Sequence, residues 1–523
     1  MITLTGFSTI LLINPVSVSN SHIMKKILFL LFLPLFASAQ QPNIIYILAD
    51  DLGYGESGIY GQEKIKTPNI DALAKSGMLF TQHYSAAPVC APARCMLLTG
   101  KHAGHAYIRG NDEWAERGDV WNYEKAVKDS SLEGQRPIPA NTVTIGHLLQ
   151  NAGYETAIFG KWGLGAPGSE GVPNKQGFDY FYGYNCQRQA HNLYPPHLWE
   201  NGKKDVLDNA VVAPRTKLDS AADPNDPASY AKFRQKEYGP AKIHEKALAF
   251  LTKEREQPFF MYYASPLPHL PLQAPQEAVE AYQAIISEEG PYLGNKGYFP
   301  TPHPRATYAA MISYLDMQVG ELIAMLKAQG LYENTLIIFS SDNGPTYAGG
   351  VDFDFFESSK PFANGYGRTK GFVYEGGIRV PMIACWPSHI EAGTTSDHIS
   401  AFYDVMPTLC DAAGIKAPGK IDGISFMPAL LQQKQKQHAY LYWEFPSYKG
   451  QQAVRRGKWK AVRKNIFDGN MEIELYDLEA DIAEANNLAR QYPKIVKRMT
   501  RIMRRAHQQA EVSKFRFPQL GDE

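Results

Sequence analysis

The chain has few cysteines, no net charge and only a short apolar run near its start, and each shortage removes a class of protein. Five cysteines in 523 residues (Cys90, Cys95, Cys186, Cys385 and Cys410) are too few for a disulfide-built scaffold, and an odd count leaves at least one thiol unpaired. Basic and acidic residues number 53 each and are well mixed, so neither a basic surface for nucleic acid nor an acidic solvating tail is expected. No nucleic-acid partner is expected. The apolar run at residues 27–36 is about ten residues, against the roughly 20 a membrane-spanning helix needs, so no stable membrane insertion is expected either. No internal repeat is visible.

What is present begins with Met24-Lys25-Lys26, that apolar run, and Ala37-Ser38-Ala39. These are the charged, hydrophobic and small-residue parts of a secretory signal peptide, with cleavage expected after Ala39. No cysteine follows to take a lipid, so an exported protein, periplasmic or secreted, is expected. Residues 1–23 precede a good start methionine and read as an over-extended start. Thirty tyrosines and thirty-five prolines give a loop-rich, aromatic composition of the kind sugar-facing surfaces have.

From residue 40 onward, short runs rich in Ile, Phe and Tyr alternate with helical patterns, the mark of βαβ units and a mostly parallel, buried sheet. Strands are expected at NIIYILADD (43–51), ETAIFGKW (155–162), FFMYYASP (259–266), TLIIFSSDNG (335–344) and PMIACWP (381–387), and helices at 144–152, 241–253 and 305–329, the last ended by Gly330. From about His438 shorter alternating stretches and a basic tail at 493–510 read as a small antiparallel sheet with a helix. The domain division is therefore 1–39, a catalytic domain at 40–437 and a small C-terminal subdomain at 438–523.

Ligands of open α/β sheets bind beyond the carboxyl ends of the strands. There this chain places Asp50-Asp51, Lys161, His269 and Asp342-Asn343. Three acids and an amide are hard oxygen ligands suited to Ca²⁺ or Mg²⁺, and without a cation such a cluster would repel itself. Cys90 opens a predicted helix with Pro92 near its start and Arg94 a turn on, a position that suits an anion. Lys161, Lys370 and His269 would complete a pocket that holds a tetrahedral oxyanion while a proton donor waits for the leaving group. The residue types point to phosphoryl or sulfuryl transfer.

CAPARCMLLTG (90–100) resembles the signature of the type I sulfatases: Cys or Ser, any residue, Pro, Ser or Ala, Arg, then a spacer ending in Thr-Gly. The resemblance continues through LADDLGYG, GKWGLG, ASPLPHLP, SDNG, RTKGFVYEGGIRVP and RRGKWKAVR. It implies an alkaline-phosphatase-like α/β sandwich, a large mostly parallel mixed sheet between helices, with the small C-terminal domain beside it. In that family a maturation enzyme oxidises the cysteine to formylglycine, whose hydrate attacks sulfur. The resemblance implies Cys90 as the modified residue and nucleophile, with Asp50, Asp51, Asp342, Asn343 and the modified Cys90 on one calcium ion. It implies Arg94 holding the hydrate, Lys161 and Lys370 on sulfate oxygens, and His269 protonating the leaving oxygen.

The second family signature carries a histidine where GKWGLG has Gly163; His105 is the closest replacement by sequence context and is equally a candidate substrate contact. Gln187, Arg188, His191 and Tyr194, in YNCQRQAHNLYPPHLW, are candidate contacts to a sulfated saccharide of galactose or N-acetylgalactosamine type. Two rival readings stay open here: a phosphodiesterase or phosphonate hydrolase of the same superfamily, and a glycan-binding pseudoenzyme.

Overall fold

The structure, a computed structural model, describes Leu12 and residues 41–523; the expected signal peptide lies outside the described residues. A ten-stranded mixed sheet forms the centre. Its middle is five parallel strands in the spatial order Thr335–Ser341, Asn43–Ala49, Phe259–Ala264, Glu155–Lys161 and Tyr180–Tyr184. The expected strand at 381–387 forms as Met382–Cys385, but it runs antiparallel to Thr335–Ser341 and carries Met78–Phe80 and Thr394–Ser396 beyond it. At the other edge His197–Glu200 and Lys203–Val206 add an antiparallel hairpin.

The continuous apolar runs are explained by burial on both faces. In Asn43–Ala49, Ile44, Tyr46 and Leu48 join the core on one side of the sheet, while Ile45, Ile47 and Ala49 join the other. Successive side chains of a strand point to opposite faces, so a strand covered on both sides has no polar face to show. One side is covered by the helix Cys90–Thr99 and its neighbours, the other by Gly239–Leu251 and Pro304–Ala328. Pro304–Ala328 has the length and hydropathy of a membrane span. Its Tyr308, Met311, Ile312, Leu315 and Val319 are instead buried in that second core.

The C-terminal chain forms the antiparallel strands Leu441–Phe445, Gln451–Arg456, Trp459–Lys464 and Glu474–Asp477, then the helix Pro493–Ala506. Residues 41–523 make one compact unit. The small sheet is tied into the large layer through buried polar contacts: Trp443 Nε1 donates to the Ser85 carbonyl, Lys460 sits 2.8 Å from Glu375, and the Glu375 N–H donates to Glu484 at 2.7 Å. All five cysteines are buried and unpaired.

Candidate active site

Four adjacent parallel strands end level with one another, Ala49 beside Ser341, Leu48 beside Ala264, and Gly160 beside Ala264. Their outgoing residues, Asp50-Asp51, Asp342-Asn343, Lys161 and the loop carrying His269, therefore meet at one edge. The helix Cys90–Thr99 brings its first residue to the same place, and Gly100, in the left-handed region at φ 67°, ends it. Cys90 and Arg94 are four apart and share a helix face, so both reach the carboxylates.

Cys90 Sγ lies 3.4 Å from Asp50 Oδ1 and 3.9 Å from Lys370 Nζ. Lys161 Nζ is 2.5 Å from Asp50 Oδ2, and Lys370 Nζ is 2.5 Å from Asp51 Oδ2. Arg94 donates to Asp342 Oδ2 from Nε and Nη2, at 3.1 and 2.8 Å, and from Nη1 to the Lys161 carbonyl at 2.6 Å. Asn343 Nδ2 donates to Asp51 Oδ1 at 2.8 Å, whereas its Oδ1 is buried without a hydrogen-bond partner. Asp51 holds a left-handed backbone, φ 67°, uncommon for a residue with a side chain and a frequent feature of functional sites. His269 Nδ1 lies 2.6 Å from the Leu270 carbonyl, which fixes the proton there and turns Nε2 toward Asp51 Oδ2, 3.6 Å away.

Apart from the partly exposed Lys370, this cluster is sealed from water, so charge decides its state. Burial alone would raise the Asp50 carboxyl, but Lys161, His269 and Arg94 outweigh it and hold it well below the usual carboxylate range. Asp342 is pushed up to about 7 by burial and by Asp50 beside it, against Arg94. Burial and then the Asp50 charge push the Cys90 thiol far up. A neutral buried thiol is a poor nucleophile, so sulfur chemistry at Cys90 as it stands is disfavoured.

Of the candidate saccharide contacts, His191 reaches this site. It stands on the short turn Gln189–His191 and stacks on His269 with ring centres 5.1 Å apart and planes 9° from parallel. Its ring nitrogens make no hydrogen bond among the described residues. Gln187 lies beside Gly163: a Cβ there would stand 3.3 Å from Gln187 Oε1 and 3.2 Å from Gln135 Oε1. Gln187 Oε1 is itself buried and unpartnered. Gly163 is at φ 83°, a conformation that disfavours any side chain.

Three expectations are corrected. His105 does not replace the missing histidine. Its Nδ1 is bound by Asp422 at 2.8 Å in a separate cavity with Thr99, at the far end of a ten-residue helix about 15 Å long. Arg188 donates both Nη groups to the carbonyls of Val120 and Trp121 and lies over the Trp121 ring, so it braces a loop. Tyr194 packs against Tyr238 in the core. Sequence reasoning missed Tyr298, 5.3 Å from the His191 ring centre, and Arg215, Lys217 and Lys296, which line a 420 Å³ opening with His191 and Tyr298. They come from loops without a motif, and no local signal marks them.

Residues 42–415 match the family model described as Sulfatase, and residues 366–509 match the one described as N-sulphoglucosamine sulphohydrolase, C-terminal. The chain is 34% identical to arylsulfatase A of Homo sapiens over 445 residues, covering 81% of this chain and 75% of that protein. It is 30% identical over 443 residues to N-acetylgalactosamine-6-sulfatase of Mus musculus, covering 81% and 72%. Among solved structures it resembles Ps i-CgsB in complex with k-i-k-neocarrahexaose, with TM-score 0.69 and 28% identity over 90% of this chain and 94% of that one.

Proposed function

Because the chain belongs to the sulfatase family it is a sulfuric ester hydrolase, and we propose that it is an exported enzyme that desulfates a carbohydrate of galactose or N-acetylgalactosamine type, using formylglycine made from Cys90 and one calcium ion. The observation that carries this reading is the placement of Cys90 at a helix start, between a carboxylate cluster and two lysine ammonium groups in a sealed pocket. The saccharide class is supported by the relative named N-acetylgalactosamine-6-sulfatase and by the similar structure that holds an oligosaccharide. Export is supported by the signal-like residues 24–39 of the sequence.

The residues fit a hard divalent cation. Asp50 and Asp51 converge with Cys90 and His269, one ligand atom of each within 4.8 Å of the others. Asp342 Oδ1 and Asn343 stand against Asp51, and Asn343 Oδ1 is buried with its lone pairs unsatisfied, so four oxygen-bearing side chains are at hand. Calcium bound there would supply positive charge against the sulfate ester and leave the lysines, which here lie on the carboxylates, to an anionic substrate. Oxidation of Cys90 by a maturation enzyme would place an aldehyde hydrate hydroxyl at the helix start in the thiol's stead. Lys161 and Lys370 then bind sulfate oxygens, and Arg94 holds Asp342 and the Lys161 backbone in register with the residue one turn before it. His269, anchored through Nδ1–H to the Leu270 carbonyl, turns Nε2 to the departing sugar oxygen. Burial and then Lys370 and Lys161 hold the ring well below its ordinary value, so Nε2 takes a proton only once the lysines are drawn onto sulfate, and that imidazolium proton passes to the leaving oxygen. His191 and Gln187, with free ring nitrogens and a free amide oxygen, meet the sugar on the side where the family histidine is missing.

The test is sulfate release from a panel of sulfated mono- and disaccharides by protein co-expressed with a formylglycine-generating enzyme, with peptide mass measured at position 90. Turnover with modified Cys90, abolished in Cys90→Ala, is expected. An unmodified Cys90 in active protein, or faster cleavage of a phosphate diester than of any sulfate ester, would overturn the reading. Saccharide binding with no release would favour a pseudoenzyme.

A further inference from the structure

The helix Pro493–Ala506 carries Lys494, Lys497, Arg498, Arg501, Arg504 and Arg505 and no acidic residue. At about 100° per residue these six fall on an arc of about 120°, forming a stripe roughly 20 Å long. All six are exposed, and none has an ion pair or a side-chain hydrogen bond among the described residues. The opposite face, Met499, Met503 and Ala506, is buried on Tyr442, Val454, Ala461 and Leu475 of the small sheet. Like charges at i, i+3 and i, i+4 destabilise a helix, and Lys494 with Arg498, Lys497 with Arg501, and Arg501 with Arg505 are such pairs. In a chain whose charges cancel overall, this concentration of unpaired cations is a local potential that an extended anion would relieve.

A groove of 540 Å³ runs beside the stripe, lined by His438, Arg456, Trp459 and Arg498. Arg456 is exposed and unpaired. Trp459 is half-buried and packs on the partly exposed Tyr492 with ring centres 4.9 Å apart. Planar guanidinium groups grip sulfate oxygens two at a time, and indole and phenol faces accept the C–H face of a sugar ring. We propose that this helix face and groove form a docking site for a sulfated polysaccharide chain, separate from the residues that handle the scissile sulfate. The proposal rests on the reading that the substrate is a sulfated carbohydrate, and it adds that the substrate is polymeric and gripped along its length. An anionic membrane would find the cations but no apolar surface to insert, because that side of the helix is already buried.

Binding of the full chain to immobilised dextran sulfate, with neutral dextran as control and with phosphatidylserine vesicles in parallel, tests it. Retention on dextran sulfate that falls with added salt is expected. The triple variant Arg498→Gln, Arg501→Gln, Arg505→Gln should bind about tenfold more weakly or worse, while its release of sulfate from a sulfated monosaccharide stays at the wild-type rate. Binding of the triple variant within about twofold of wild type, or tighter binding to vesicles than to dextran sulfate, would overturn the docking site. Retention on dextran sulfate without sulfate release from any ester would instead overturn the proposed function and leave the docking site standing.

Discussion

Arg94→Met should make the protein markedly easier to unfold. The guanidinium is fully buried and donates twice to Asp342 and once to the Lys161 carbonyl, with Asp50 Oδ2 3.4 Å away. Methionine fills much of the volume but leaves the Asp342 carboxylate without its cation, which costs about 3–5 kcal/mol for a broken buried pair. The orphaned Lys161 carbonyl adds about 1–3 kcal/mol. A loss of about 4 kcal/mol or more is therefore expected, a large share of the roughly 5–15 kcal/mol that holds a folded domain. Urea unfolding followed by tryptophan fluorescence in chelator measures it as a fall in midpoint at unchanged slope. The variant also changes the local charge balance: Asp50, Asp51 and Asp342 then share two ammonium groups instead of three cations, and Asp342, pushed up to about 7 even beside Arg94, takes up a proton that bound calcium would displace. Added calcium should raise the midpoint more in the variant than in the wild type, since a ligand that binds only the folded state stabilises according to its affinity. A loss below about 1 kcal/mol would refute the account of Arg94 as the charge partner of a sealed cluster. An identical calcium response in both proteins would refute the proposed donor set.

His269→Ala should lower turnover of a sulfated sugar by about 10²-fold or more but slow an aryl sulfate much less, because a phenolate leaves without a proton; equal losses on both substrates would remove His269 from the role of acid. Gly163→His should not restore the family arrangement. The left-handed backbone costs about 1–2 kcal/mol with a side chain present, and the ring must displace Gln187 and Gln135. A lower urea midpoint with no gain in sulfate release is expected, and a faster enzyme would show that the space at 163 is less committed than its neighbours indicate.

The parts of the molecule legible in the sequence are those whose meaning is local. Asp50-Asp51, Asp342-Asn343 and Lys161 each follow an apolar run long and uniform enough to be a doubly buried strand, so their place at the carboxyl edge could be read without coordinates. Cys90 and Arg94 were legible because a four-residue spacing on a helix puts both on one face. Met382–Cys385 shows the limit: its apolar pattern marks a strand, but the direction in which it pairs depends on the path of the connecting chain.

What the chain by itself determined is thus the list of reacting groups and the sheet edge that carries them. Tertiary structure alone decided their surroundings. It put His191 flat against His269, filled the space facing Gly163 with Gln187 and Gln135, and sent His105 to Asp422 and Arg188 to two carbonyls. The physical reason is that a residue's chemistry and its position on a strand or helix are properties of neighbours in sequence. The partner a polar side chain finds, and whether a cation is left free as on Pro493–Ala506, depend on loops and faces that meet only after the chain has packed.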